Sequence, residues 1–395
     1  MSGSRKVIAV LAGLQALLLT NNALTFFLAP LIGVNLAPDP AFATVPLTAF
    51  IVGAAVTTLP ISLFMKRVGR RPGFLLGAVV GLCGAVLGAL ALANESFPLF
   101  LLSAFCGGSS NAAAQYYRFA AAEAVEADAR ARAISIVLAG GLVGAFAGPQ
   151  TAILTRNLFP MPYIASYFAL AVFALISIVL LLIVRLPDSA AQDPSAGAPA
   201  RPLSEILTQP RIVAAMLGAI TGFAVMNFLM TSTSLAMTMH HHRAEDAAFV
   251  IEWHIVAMFA PSFFTGTLMQ RFGTGRVMSC GAFLLLASIG AAVSGTSLAA
   301  FWIALVLLGV GWNFLFVGGT ALLSASHRAS ERGKVQGLND MLVFVGTGTT
   351  SVLSGALLQL AGWQTMVLVS IPLPLIALAA LYWARKYPES DAAGR

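Results

Sequence analysis

Long apolar runs alternate with short polar breaks along almost the whole chain. Each run lasts about 20 residues, the length a helix needs to cross the hydrocarbon of a bilayer, so the pattern predicts helices. About twelve such runs can be counted at that length. The first extends from about Val7 to Val34 and the second from about Val45 to Phe64. The turn-rich Ala37-Pro38-Asp39-Pro40 separates them. The third to sixth start near Gly73, Pro98, Ala133 and Tyr163. Leu186 to Pro210 is instead rich in Pro, Ala, Ser and Asp and reads as a flexible linker. Six more runs start near Ile212, Ala248, Arg276, Ala299, Lys334 and Trp363, and a polar tail begins at Arg385. The pattern predicts an all-α membrane protein with twelve transmembrane helices: residues 1–185 as one six-helix half, 186–210 as linker and 211–395 as a second half.

Composition agrees. Only 9% of the 395 residues are charged, against about 25% in soluble chains. The net charge of +7 would suggest an anionic partner in a soluble protein. Here it is explained by the bias of cytoplasmic loops towards Lys and Arg. With the N-terminus inside, the internal loops and tails hold all 22 Lys and Arg except Arg118, Arg156 and Arg243. Both termini are therefore expected in the cytoplasm. Cys83, Cys106 and Cys280 lie far apart in apolar runs and give no disulfide framework. No P-loop, Gly-x-Ser-x-Gly or dinucleotide fingerprint occurs, so neither ATP hydrolysis nor covalent catalysis is expected. No prosthetic group or nucleic acid is expected as a partner either.

The two halves look related. Met65-Lys66-Arg67-Val68-Gly69 after the second span matches Met269-Gln270-Arg271-Phe272-Gly273 after the eighth. Gly107 and Asn111 match Gly309 and Asn313 at the same offset, and Gly-rich stretches follow in spans five and eleven. In this arrangement the chain resembles the major facilitator superfamily over its full length. That family's loop usually reads Gly-x-x-x-Asp-Arg-x-Gly-Arg-Arg. Arg67, Gly69, Arg70 and Arg71 fit it, whereas Ser62 replaces the Gly and Lys66 the Asp. The resemblance implies two pseudo-symmetric halves, alternating access around a central site and a monomer as the working unit. It also implies gating by the basic loop, with Arg67 and Arg71 as candidates.

Candidate chemistry concentrates between Met226 and Met258, which contains four of the five histidines. Met226 and Met230 are four apart and share a helix face, continued by Thr233, Met237 and His240 or His241. His254 and Met258 share a face of the next span. Thioether and imidazole are neutral, soft ligands that suit Cu(I) better than Zn²⁺ or Mg²⁺. Met237, His240, His241 and His242 would capture copper at the outer mouth. Packing also produces Met pairs. A structural His can bond a carbonyl, and a boundary His run can be merely solvated.

The paired Met226-x-x-x-Met230 and His254-x-x-x-Met258 are similar to the motifs of the CcoA-like copper importers. The resemblance implies copper import with Met226, Met230, His254 and Met258 as ligands. Relatives in the same branch are linked to riboflavin. An organic-solute reading, with riboflavin foremost, would instead use Asn111, Gln115, Tyr116, Tyr117, Trp312 and Asn313. A third reading is a copper-binding sensor or oxidase-assembly protein that moves nothing. Asn22, Asn111, Gln115, Asn227 and Asn313 are expected to line the cavity, or else to bond helix to helix. Arg118, Glu123 and Asp340 are candidates for gating or coupling. Besides the substrate, the bilayer is the only partner expected.

Overall fold

A computed structural model describes residues 2–39, 42, 45–186 and 201–387. Pro40, residues 187–200 of the expected linker and the tail from 388, Arg395 included, lie outside the described residues. Every regular element among the described residues is helical. In chain order these are α1 (Ser2–Leu36), α2 (Val45–Val68), α3 (Arg70–Ala93), α4 (Phe97–Ala114), α5 (Tyr117–Glu123), α6 (Arg130–Ala139), α7 (Gly141–Thr155) and α8 (Ile164–Ile183). They continue with α9 (Leu203–Ile206), α10 (Pro210–Met239), α11 (Ala244–Phe259), α12 (Ser262–Phe272), α13 (Thr274–Val293), α14 (Leu298–Ser326), α15 (Arg332–Val369) and α16 (Pro372–Arg385).

Nine helices among the described residues are long and apolar enough to cross a membrane. The pair Glu245–Phe259 and Ser262–Phe272, bent by 42°, makes a tenth. The sequence pattern suggested about twelve. The difference has two sources. The fourth run is divided at Gln115–Tyr116 into α4 and α5, and Ser109, Ser110 and Asn111 dilute it. The eleventh carries Asn339 and Asp340 and runs on inside α15 to a kink at Gly362 (φ 75°, ψ 172°).

The loops that matched in sequence match in backbone. Gly69 joins α2 to α3 at φ 95°, ψ 165°, and Gly273 joins α12 to α13 at φ 88°, ψ 142°. Only glycine takes these angles without strain, which explains why both copies end in Gly.

The chain groups into two compact units. The first comprises Met1–Ala124, Gly140–Asp193 and Arg332–Phe344; the second comprises Val125–Ala139, Pro194–Glu331 and Val345–Arg395. In the first, α2 and α3 pack on α4, α8 packs on α3, and α7 packs on α1. Leu24, Leu28, Ile32, Phe100 and Tyr167 belong to its core. Gly144 and Gly148 let α7 approach the α1 backbone, since a Cβ there would collide with Leu19, Thr20 and Leu24. In the second unit α14 is the central post, with α10, α11 and α13 packed around it. There α6 lies on α12, where Ser135 Oγ donates to the Ser262 carbonyl and accepts from Gly266 N–H at 3.1 Å.

Candidate functional site

In the first unit the polar residues form one continuous chain. Asn22 Nδ2 donates to Asn111 Oδ1 at 2.9 Å, and Gln115 Nε2 donates to the same oxygen at 3.3 Å. The break after α4 places Arg118 so that Nη1 donates to the Gln115 side chain at 2.9 Å and to its carbonyl at 3.0 Å. Arg118 Nη2 reaches Asp340 Oδ1 at 2.5 Å, and Asn339 donates to that oxygen at 2.8 Å. Arg118 and Asp340 are each only 2% exposed. A charge this deeply buried persists only when paired. Asn22 and Asn111 also line a cavity of about 80 Å³ together with Asn21, Ser110, Tyr117 and Tyr167.

The expected gating residues are redistributed. Glu123 pairs with Arg70 at 2.7 Å and Arg332 at 3.2 Å. Arg70 also donates to Gln336 at 2.5 Å. Arg71 donates to the carbonyls of Leu181 and Leu182 at 2.8 and 2.5 Å, so it closes the C-terminal end of α8. Arg67 is exposed. Arg70 is thus the loop residue that pairs with Glu123. Arg70, Arg332 and Gln336 were not singled out from the sequence as site residues.

In the second unit Met226, Met237 and Met258 are buried and Met230 is half-buried. His254 is 0% exposed, and its Nδ1–H donates to the Leu305 carbonyl of α14 at 2.8 Å. That bond leaves the Nε2 lone pair without a hydrogen-bond partner. Helices α10 and α11 each pack on α14 more than on each other. No hydrogen bond joins a methionine sulfur to His254 among the described residues.

The outer cluster is spread by the end of α10. His240 and His241 are exposed, His241 taking φ 63°. His242 Nε2 lies 2.7 Å from the Thr296 carbonyl, and its ring packs edge-on against Phe301. Among the described residues no three His, Cys, Asp or Glu side chains are grouped to hold a metal ion.

The remaining amides bond helix to helix, the alternative to lining a cavity. Asn313, 0% exposed, donates to the Met258 carbonyl at 2.7 Å and Ser262 Oγ at 2.6 Å, and accepts from Thr265 at 2.7 Å. It ties α14 across the α11–α12 bend and has no face left for a solute. Asn227 donates to the Thr347 carbonyl at 3.0 Å and Thr350 Oγ1 at 3.3 Å, bonding α10 to α15. Tyr116, named in the organic-solute reading, is 0% exposed and donates to the Thr58 carbonyl at 3.0 Å. Tyr117 packs edge-on to Phe74.

What the structure adds is an aromatic cluster around Trp312. Phe316 stacks on it at 5.1 Å between ring centres, and Phe223 and Phe259 meet it edge-on at 5.2 and 5.6 Å. Trp312 Nε1 is buried without an acceptor. Of these four, sequence reasoning named Trp312 alone. The four-residue spacing to Phe316 was the signal for a shared face.

An all-helical chain with up to ten candidate membrane spans and buried polar centres has the architecture of a membrane carrier. It belongs to the Major Facilitator Superfamily, whose model matches residues 11–260 and 246–394. It is a multi-pass secondary transporter. The chain is 39% identical to the riboflavin transporter RfnT of Brucella anthropi over 96% of both chains. It is 30% identical to the uncharacterized MFS-type transporter YdeG of Bacillus subtilis, over 90% of this chain and 86% of YdeG. Two solved structures share the fold at 16% identity. The human organic anion transporter TETRAN has a TM-score of 0.78, covering 96% of this chain and 99% of its own. The transporter FucP has a TM-score of 0.77, covering 97% and 99%.

Proposed function

We propose that the protein imports riboflavin, or a flavin of similar shape, across the bacterial inner membrane by alternating access, with both termini in the cytoplasm. The observation that carries this reading is the 39% identity to RfnT along 96% of both chains. It favours the flavin reading over the copper one, which rested on the Met and His motifs. Two features support it. The second unit holds Phe223, Phe259, Trp312 and Phe316 in contact, and planar rings bind planar ligands by stacking. The Trp312 N–H is a donor awaiting an acceptor, and a flavin ring offers carbonyls. The first unit offers Asn22, Asn111 and Gln115, amides that donate and accept.

Copper remains the second reading because the lone pair of a fully buried His254 Nε2 has no partner. The test is uptake of labelled riboflavin by a riboflavin-auxotrophic bacterium expressing the wild type, Trp312→Ala, Asn111→Ala or His254→Ala at matched membrane levels. Saturable uptake lost in the first two variants and kept in the third is the expected result. Labelled copper uptake that depends on Met226 and His254, with no flavin uptake, would replace this reading with the copper one.

A further inference from the structure

The cavity of about 80 Å³ lies wholly within the first unit, between α1, α2, α3, α4, α5 and α8. That volume is several times the roughly 10–15 Å³ that one water needs. Asn21, Asn22, Ser110, Asn111 and Tyr117 give the wall polar groups, and Phe50 is among its apolar ones. Among the described residues, no Asp, Glu, Lys, Arg or His belongs to the wall. Arg118, which ends the nearby hydrogen-bonded chain, is turned to Asp340 and lies outside it.

The protein does not use up these polar groups itself. Asn21 Oδ1 is buried and has no partner among the described residues. Asn111 spends its oxygen on Asn22 and Gln115. Among the described residues no hydrogen bond takes up its Nδ2 donors or the Ser110 hydroxyl. The wall therefore holds both an acceptor and donors to be satisfied. A hydroxyl donates and accepts, so it answers either kind. A phosphate dianion only accepts. It would leave Asn21 Oδ1 unpaired and bring charge to a wall without a cation, and a buried charge with no partner is strongly disfavoured.

We infer that this cavity takes the neutral hydroxyl chain of the solute, with Asn21, Ser110 and Asn111 as its partners, and so admits riboflavin while rejecting riboflavin phosphate. The inference rests on the riboflavin reading and deepens it. The hydroxyl chain is what separates riboflavin from lumiflavin, which keeps the ring system and carries a methyl group in place of the chain. Selectivity for the chain is therefore measurable apart from recognition of the ring.

The test is fluorescence-quenching titration of the purified full-length protein in detergent with riboflavin, lumiflavin and riboflavin phosphate. The wild type is expected to bind riboflavin about tenfold or more tightly than either of the others, because the wrong ligand leaves buried polar groups unpaired. Asn21→Ala and Ser110→Ala each remove one hydrogen bond, worth about a factor of five. Each should weaken riboflavin by about that factor and leave lumiflavin unchanged, which general damage to the bundle would not do. Gly107→Ala narrows the cavity without a collision, since its Cβ would meet only the Phe50 ring, at 3.4 and 3.5 Å. It too should weaken riboflavin and spare lumiflavin, and it decides the matter if the polar variants fail to fold. Lumiflavin or riboflavin phosphate bound as tightly as riboflavin would overturn the inference and leave the riboflavin reading in place. So would variants that change riboflavin and lumiflavin alike, or change neither. Saturable binding of none of the three would remove that reading and the inference with it.

Discussion

Asn111 and Asn313 occupy matching places in the two halves, yet their surroundings give them different work. Asn111 accepts from two side-chain amides in a chain that borders a cavity. Asn313 is sealed inside the α11–α12 bend with three bonds of its own. The sequence showed the match but not the difference, because a side chain's partners come from other helices and leave no local trace. The same holds for His254, whose Nδ1–H meets a carbonyl 51 positions away. Replacing Asn313 by Leu would strand the hydroxyl of Ser262 in the protein interior, while Thr265 keeps the Pro261 carbonyl as its acceptor. Buried polar groups without partners cost about 1–3 kcal/mol each. Asn313→Leu should therefore lower stability by about 1–3 kcal/mol, read as a lower midpoint of thermal unfolding in detergent. Asn111→Leu should affect riboflavin uptake more than stability. A drop in melting as large for Asn111→Leu as for Asn313→Leu would contradict this division.

At the scale of elements, helix positions were legible from apolar runs of sufficient length, and the repeated loop predicted two related turns. The breaks were less legible. The division of the fourth run at Gln115–Tyr116 has neither Gly nor Pro to announce it, and the kink at Gly362 depends on one backbone angle. Gly273 offers a clean test of the turns. A Cβ there would touch nothing within 4 Å, so the cost of Gly273→Ala is backbone strain at φ 88° alone. That cost is about 1–3 kcal/mol. Gly290 lies inside α13 with equally open space, and Ala is the better helix former by about 0.5–1 kcal/mol. Melting in detergent should thus fall for Gly273→Ala and rise for Gly290→Ala.

The turn between α14 and α15 carries a further linkage at this scale. Glu331 is 0% exposed and accepts from Arg201 Nε at 2.6 Å, Arg201 Nη2 at 2.8 Å and the Arg328 N–H at 3.0 Å. Burial alone would raise its pKa. The bonds from Arg201 and the backbone outweigh burial and hold it down to about 2. A folded value below the ordinary 4.5 means the carboxylate adds stability above that pH. The contribution is lost as pH falls from about 4.5 towards 2. Glu331→Gln should flatten the melting curve against pH across the accessible part of that window, below pH 5. An unaltered slope would show that other groups set it.

On the scale of the whole molecule, the family match supports the sequence reading of a transporter, whereas the copper reading of its cargo rested on ligand softness and spacing. Met and His at four-residue spacing fit both a copper path and ordinary packing, and spacing cannot separate the two. The similarity to a riboflavin transporter over 96% of both chains supports the flavin proposal better. The Arg118–Asp340 pair is the group to test for a part in driving uptake. The pair connects α5, from the first half of the sequence, to α15, from the second, inside one compact unit. It also ends the hydrogen-bonded chain that starts at Asn22. Breaking a buried pair by removing one partner leaves an uncompensated charge and costs about 3–5 kcal/mol, whereas replacing both with apolar residues is often neutral. Asp340→Asn and Arg118→Met should each lower melting sharply. The double variant Arg118→Met with Asp340→Leu should recover it. A pair that only braces the bundle would leave that double variant transporting riboflavin at near the wild-type rate. A pair whose charge takes part in the cycle would leave it folded, in the membrane and below a tenth of that rate. We expect the second result, because a brace could be built from apolar side chains at less electrostatic cost.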